Sequence, residues 1–215
     1  MQSHQKKAQL PSLTHEYSLR EAGILHIAGI DEAGRGAWAG PVIAAAVILP
    51  LKKFNLANLL EGVRDSKLMT PRKRSENFIR IKDIALSIGL GEATPEEVDS
   101  LGIIGATRQA MQRAINSLSI PPQHLLIDHL KLPDIPIGQT AITKGDRLVL
   151  SIAAASIIAK VTRDERMKTL DNMFPGYGFS RHKGYGTHEH RRYLQELGPS
   201  IIHRKTFTPV ASLCI

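Results

Sequence analysis

Asp31, Glu32, Asp128 and Asp146 are the residues of this sequence whose types and spacing suggest chemistry. The first two stand side by side in "GIDEAGRGAWAG", directly behind the apolar run "ILHIAGI". Asp128 repeats the pattern, since "LLIDHL" runs three aliphatic residues into a carboxylate, and Asp146 follows 18 positions later in "TKGDR". Taken singly, each has an ordinary reading, as a strand-end acid facing water or an acid complementing a helix N-terminus. Taken together, four carboxylates delivered to one sheet edge would repel each other in low dielectric unless a cation sat among them. Oxygen-only ligands select a hard ion such as Mg2+ or Mn2+. Two such ions about 4 Å apart are a common device for in-line phosphodiester hydrolysis.

The elements that must position these acids can be read from periodicity. Strands are expected at Ile24 to Ile30 and Pro41 to Leu49, joined through the glycine-rich linker, with the acids at the mouth of that turn. Thr70 and Pro71 open a helix that keeps Phe78, Ile81 and Ala85 on one side, and "LSIGLGEA" reads as a third strand. A capping box, Thr94 with Glu97, starts a long helix with apolar positions at Val98, Leu101, Ile104, Met111, Ile115 and Leu118. "HLLID" and "GQTAIT" follow as a fourth and fifth strand. From Ser151 comes a strong helix whose small residues, Ala153 to Ser156, allow close packing on the sheet. The fourth strand is reached only across a helix, which implies an α/β fold with a mixed five-stranded sheet flanked by helices. Residues 1–20 read as a polar lead-in, 21–172 as the main domain, and 173–215 as a C-terminal loop and helical appendage.

Composition narrows the function classes. Among 215 residues, 28 Lys and Arg against 20 Asp and Glu give a net charge of +8, a balance that favours a polyanionic partner. A passive nucleic-acid binder gains nothing from acids beside its phosphate path, whereas an enzyme needs them. Cys214 is the only cysteine, so a disulfide framework or Cys-based zinc site is excluded. His188 and His190 flank Glu189 without the H-E-x-x-H spacing, and no G-x-x-x-x-G-K-[ST] occurs. With no apolar leader and no stretch near ~18 uncharged apolar residues, a soluble, cytoplasmic, membrane-free monomer is expected.

Six blocks in order carry a resemblance: "GIDEAGRG", "DSK" at Asp65 to Lys67, "LLID", "KGD" at Lys144 to Asp146, "SIAAASIIAKVTRD" and "HKGYGT". From about Ile27 to Pro209 the chain resembles bacterial ribonuclease HII. The resemblance implies a ribonuclease H-like fold and an Mg2+- or Mn2+-dependent endonuclease. Its expected substrates are RNA–DNA hybrids and duplex DNA containing ribonucleotides, and its expected products a 5′-phosphate and a 3′-hydroxyl. It matches Asp31, Glu32, Asp128 and Asp146 to the catalytic metal ligands. It also implies that the loop of Gly34, Arg35 and Gly36 senses the ribose 2′-hydroxyl, and that Tyr185 meets the following deoxyribose. Lys67, and after it Lys144 and Lys160, are implied phosphate contacts. One departure is His129, where the family usually has glycine. A related nuclease preferring long hybrids or DNA junctions, and a non-enzymatic binder with solvated acids, are the competing readings.

Overall fold

The apolar runs pair into one five-stranded sheet. Its strands are β1 (Ile27–Ala33), β2 (Val42–Ile48), β3 (Ser87–Ala93), β4 (His124–Asp128) and β5 (Gly138–Ile142), in the order β3-β2-β1-β4-β5. The chain is seen in a computed structural model that describes residues 10–213. Cys214 and the first nine residues of the expected lead-in lie outside the described residues. β1 and β2 pair antiparallel, as do β2 and β3, while β1, β4 and β5 run parallel. The sheet is therefore mixed and β1 is its central strand.

The helices are α1 (Thr14–Glu21), α2 (Leu56–Leu59), α3 (Pro71–Ile84), α4 (Pro95–Asn116), α5 (Gly145–Leu148), α6 (Leu150–Met173), α7 (Phe179–His182) and α8 (His188–Leu197). Two of them sandwich the sheet. α6 lays Ala153, Ala154 and Ile157 on one face against Ile27, Ala45 and Leu126. α4 lays Ala110, Met111 and Ala114 on the other against Ile30, Ala44 and Ile127. The small residues bring α6 so near the central strand that a Cβ at Gly29 would stand 2.2 Å from the Ser151 carbonyl carbon. Thr70 caps α3, and Thr94 and Glu97 close a reciprocal box at the start of α4.

Three expectations change. β1 does not stop at Ile30: Asp31, Glu32 and Ala33 remain paired with Ala45, Ala44 and Ile43 of β2, so the acids belong to the strand and not to a turn mouth. The long helix is broken at Gly102 (φ 70°, ψ 163°). Leu101 and Ile104 therefore face solvent, because a period counted across that break loses its face. Part of the lead-in is also structured. Ser12 pairs with Val149, and in α1 the buried Glu16 accepts a 2.9 Å hydrogen bond from the Ser151 backbone N–H. The polar pattern of α1 conceals this role because its buried residue is itself an acid capping α6.

The C-terminal segment shares an apolar cluster with the rest of the fold, in which Tyr177, Phe179 and Ile202 pack with Ala39 of the linker and Met167 and Leu170 of α6. This cluster holds the linker between β1 and β2, since Ala37 bridges to Tyr185 and Ala39 to His203.

Candidate active site

Parallel pairing of β1 with β4 delivers two of the acids together. Ile30 is level with Ile127, so Asp31 and Asp128 leave adjacent strands at the same height. Asp128 then reaches α5, accepting a 2.7 Å hydrogen bond from the Gly145 N–H, which sets Asp146 beside it. Asp31 faces α6 and is buried. Its carboxyl is pushed well above the usual range, first by burial and then by the charges of Glu32 and Asp128. Burial also raises Glu32, opposed by Arg35, whose guanidinium lies 3.3 Å from Oε1. Burial, with Asp65 and Asp128, lifts Asp146 to about 6.

One cation is already placed among these acids. Burial pulls the Lys67 amine down, but Asp31, Asp146, Asp65 and Glu32 outweigh it and raise it. Even so, Glu32 Oε2 is buried without a partner. An orphaned carboxylate oxygen beside mutually repelling carboxyls is what a hard cation would satisfy, so the donor set fits divalent ions. Among the described residues, no three His, Cys, Asp or Glu side chains form a closed metal cage. Ions that keep water and substrate phosphate oxygens as ligands need only one or two carboxylates each.

Beside the acids, a cavity of about 250 Å³ brings Glu32, Gly34, Arg35, Gly36, Lys67, Lys160 and Tyr185 together. Lys160 Nζ lies 5.5 Å from the Tyr185 ring centroid and 2.6 Å from Asp164 Oδ1. Lys144 is elsewhere, lining a separate cavity with Arg64, Asp65 and Arg147. His129 adopts φ 61°, a left-handed conformation that glycine takes without strain, so the expected departure from glycine falls where the backbone favours one. His188 is exposed and His190 buried, so the pair does not converge on a metal.

Three residues escaped the reading of the sequence. Asp65 is buried, accepts from the Lys67 N–H at 2.9 Å and pairs with Arg147 at 3.1 Å, fixing the turn that aims Lys67. Arg163 is fully buried and donates to the carbonyls of Pro41, Ala39 and Lys183. Its guanidinium lies 5.2 Å from the Tyr185 ring centroid. Arg204, also buried, donates to the carbonyls of Gly40 and Arg35. Burial, and then Arg163, push it down to about 9. Arg163 sat inside a quoted block and Arg204 outside all of them, and nothing local marks either as a buried arginine whose partners are distant main-chain carbonyls.

Over residues 28–210 the sequence matches the family model described as ribonuclease HII. The chain belongs to the ribonuclease HII family. Ribonuclease HII of Chloroflexus aurantiacus is 51% identical over 201 residues, covering 94% of this chain and 95% of that protein. Among solved structures, ribonuclease H2 from Pyrococcus horikoshii OT3 superposes with a TM-score of 0.70 at 28% identity, covering 87% of this chain and 96% of that one. Bst-RNase HIII, solved in complex with Mn2+, shares the fold with a TM-score of 0.64 at 19% identity, covering 88% and 69% of the two chains. Ribonuclease HII membership makes the protein a ribonuclease H, an endonuclease acting on the RNA of RNA–DNA hybrids. Among the described residues no helix is long and apolar enough to cross a membrane.

Proposed function

We propose that the protein hydrolyses the RNA strand of hybrids and also cuts duplex DNA on the 5′ side of single embedded ribonucleotides, leaving 5′-phosphate and 3′-hydroxyl ends. The observation that carries this reading is the shared cavity, where Glu32 lines the same space as the glycine loop and Tyr185. A site that only cut would not need the two recognition elements against one acid.

Asp31, Glu32, Asp128 and Asp146 would hold divalent ions, for which the Mn2+ complex of Bst-RNase HIII is a precedent within the fold. Such ions, when bound, activate the attacking water and stabilise the departing oxygen. Arg35 keeps Glu32 oriented, and Lys67 offers its ammonium to a phosphate oxygen at the same site. The loop approaches the sugar with its backbone. Apart from its chain neighbours, no heavy atom of the described residues lies within 4 Å of a Cβ built on Gly36, so this face is open to a ribose, whose 2′-hydroxyl can both donate and accept. Tyr185 then meets the next sugar with a flat ring that leaves no room for a 2′ substituent. Beyond it, through Lys160, a groove of about 390 Å³ carries Arg74, Lys168, Arg181 and Lys183 against Asp164 and Glu165. The excess of positive charge suits duplex phosphates.

The deciding experiment is cleavage of a duplex with one ribonucleotide, with and without Mg2+ or Mn2+, with the product ends analysed. Cleavage on the 5′ side is expected only with metal, and is expected to be lost in Asp31→Asn and Asp128→Asn. Activity confined to long hybrids would favour the competing nuclease reading, and retained activity in either variant would remove that acid from the ligand set.

A further inference from the structure

Behind Tyr185 lie three buried histidines that take no part in the chemistry above: His182, His190 and His203. His182 and His190 stack with their centroids 4.2 Å apart, His203 lies tilted against His190, and Phe179 meets His182 and His190 edge-on. Each ring nitrogen has a partner, and the partners dictate where the protons are. The His203 Nδ1 accepts from the Ser200 N–H at 2.9 Å, so its proton is on Nε2 and is given to His190 Nε2 at 3.1 Å. Having accepted there, His190 carries its own proton on Nδ1 and donates it to the Tyr185 carbonyl at 3.0 Å. His182 accepts on Nδ1 from the Gly184 N–H at 3.2 Å and donates from Nε2 to the Tyr177 carbonyl at 2.7 Å. All three rings are neutral in this arrangement, and the chain runs one way, from Ser200 to Tyr185. Burial, which comes first among the causes, holds both His190 and His203 down at about 4.

The same cluster grips the glycine loop. Trp38 packs 5.4 Å from His190 between ring centroids, donates its backbone N–H to Gly184 at 2.8 Å, and would collide with any Cβ on Gly186. We propose that His203 and His190 are positioning residues, whose directional hydrogen-bond chain fixes the Tyr185 main chain against the glycine loop and thereby sets selectivity for a ribonucleotide followed by a deoxynucleotide. This rests on the role given to Tyr185 above. Neither histidine touches substrate; both act through the Tyr185 carbonyl.

The test compares His203→Leu, which ends the chain, with His203→Gln, whose amide can accept from Ser200 and donate to His190 as the ring does. Values of kcat and KM are measured on a duplex with one ribonucleotide and on a long hybrid. In the Leu variant, kcat on the single ribonucleotide should fall about tenfold relative to the hybrid, the scale of one lost hydrogen bond, while the Gln variant keeps the parent ratio within about twofold. Equal slowing on both substrates, or a Gln variant no better than Leu, overturns the proposal. A parent enzyme that cuts the two substrates alike overturns the Tyr185 reading and the selectivity claim with it. The chain itself is tested separately by 15N NMR of the imidazoles in the full-length parent, which reports even if the Leu variant does not fold. His190 as a neutral Nδ1–H tautomer beside Nε2–H in His182 and His203 is expected; His190 protonated or as Nε2–H overturns it.

Discussion

Gly34 and Gly36 flank one arginine yet are glycine for different reasons. At Gly34, φ is +98° and a Cβ would stand 2.0 Å from Arg163 Nε, so the residue is fixed from within the protein. Gly36 has open space around it and no left-handed φ, so its backbone does not demand glycine and only the proposed access to the sugar argues for one. Tyr185 stands on the far side of that access. Tyr185→Ala should lower cleavage at single ribonucleotides more than within long hybrids, where no deoxyribose follows the cut; an unchanged ratio of the two rates would remove its sensing role. The acids make a pH prediction. Asp146 has its folded value raised to about 6, so in metal-free protein its favourable protonated form is present below about 4 and is lost as pH rises through 6. Metal-free Asp146→Asn should thus match its parent near pH 4 and exceed it at pH 7 by about 1 kcal/mol, or roughly 2–4 °C in Tm. A Tm gap that does not open between those pH values would mean the carboxyl is not strained.

At the scale of elements, the central place of β1 explains why two adjacent acids tolerate burial: ladder pairing with β2 continues past them and holds them in line. Much of this was legible. Thr94 with Glu97, and Thr70 before Pro71, announced α4 and α3 because capping is local chemistry, and Asp31 and Asp128 showed as acids behind aliphatic runs, Asp128 at the end of its strand. What was not legible depends on distant partners. The end of β1 is set by Ala44 and Ile43 and not by its own hydropathy, and Gly102 shows its break only in its dihedral angles. Arg163 is the clearest case, a helical arginine whose three carbonyl partners come from the β1–β2 linker and the loop before α8. Arg163→Lys cannot reach all three, and should cost about 2–3 kcal/mol in urea unfolding together with at least about tenfold in kcat/KM. Normal activity in that variant would show that the linker holds its shape without the clamp.

For the whole molecule, charge and acid sensitivity follow from composition and burial together. A net charge of +8 with a basic groove predicts duplex binding that weakens steeply between low and moderate salt but varies little with base sequence, as a filter-binding titration would show. The buried histidines predict the acid limit. His190 and His203 are held at about 4 in the fold and return to about 6.5 when unfolded, so their contribution is complete above 6.5 and is lost as pH falls towards 4. The urea midpoint should drop steeply over that window, and less steeply in His203→Gln; parallel slopes would deny the histidines this role. The clamp from Arg204 to Gly40 spans 164 residues, and during synthesis the N-terminal part of a chain emerges and folds first. The sheet bearing Asp31 and Asp128 can therefore form while the ribosome still holds the residue that clamps the glycine loop. A chain that has not yet reached Arg204 would carry the acids without the clamp, so the arrival of that arginine acts as a completion check on a nuclease.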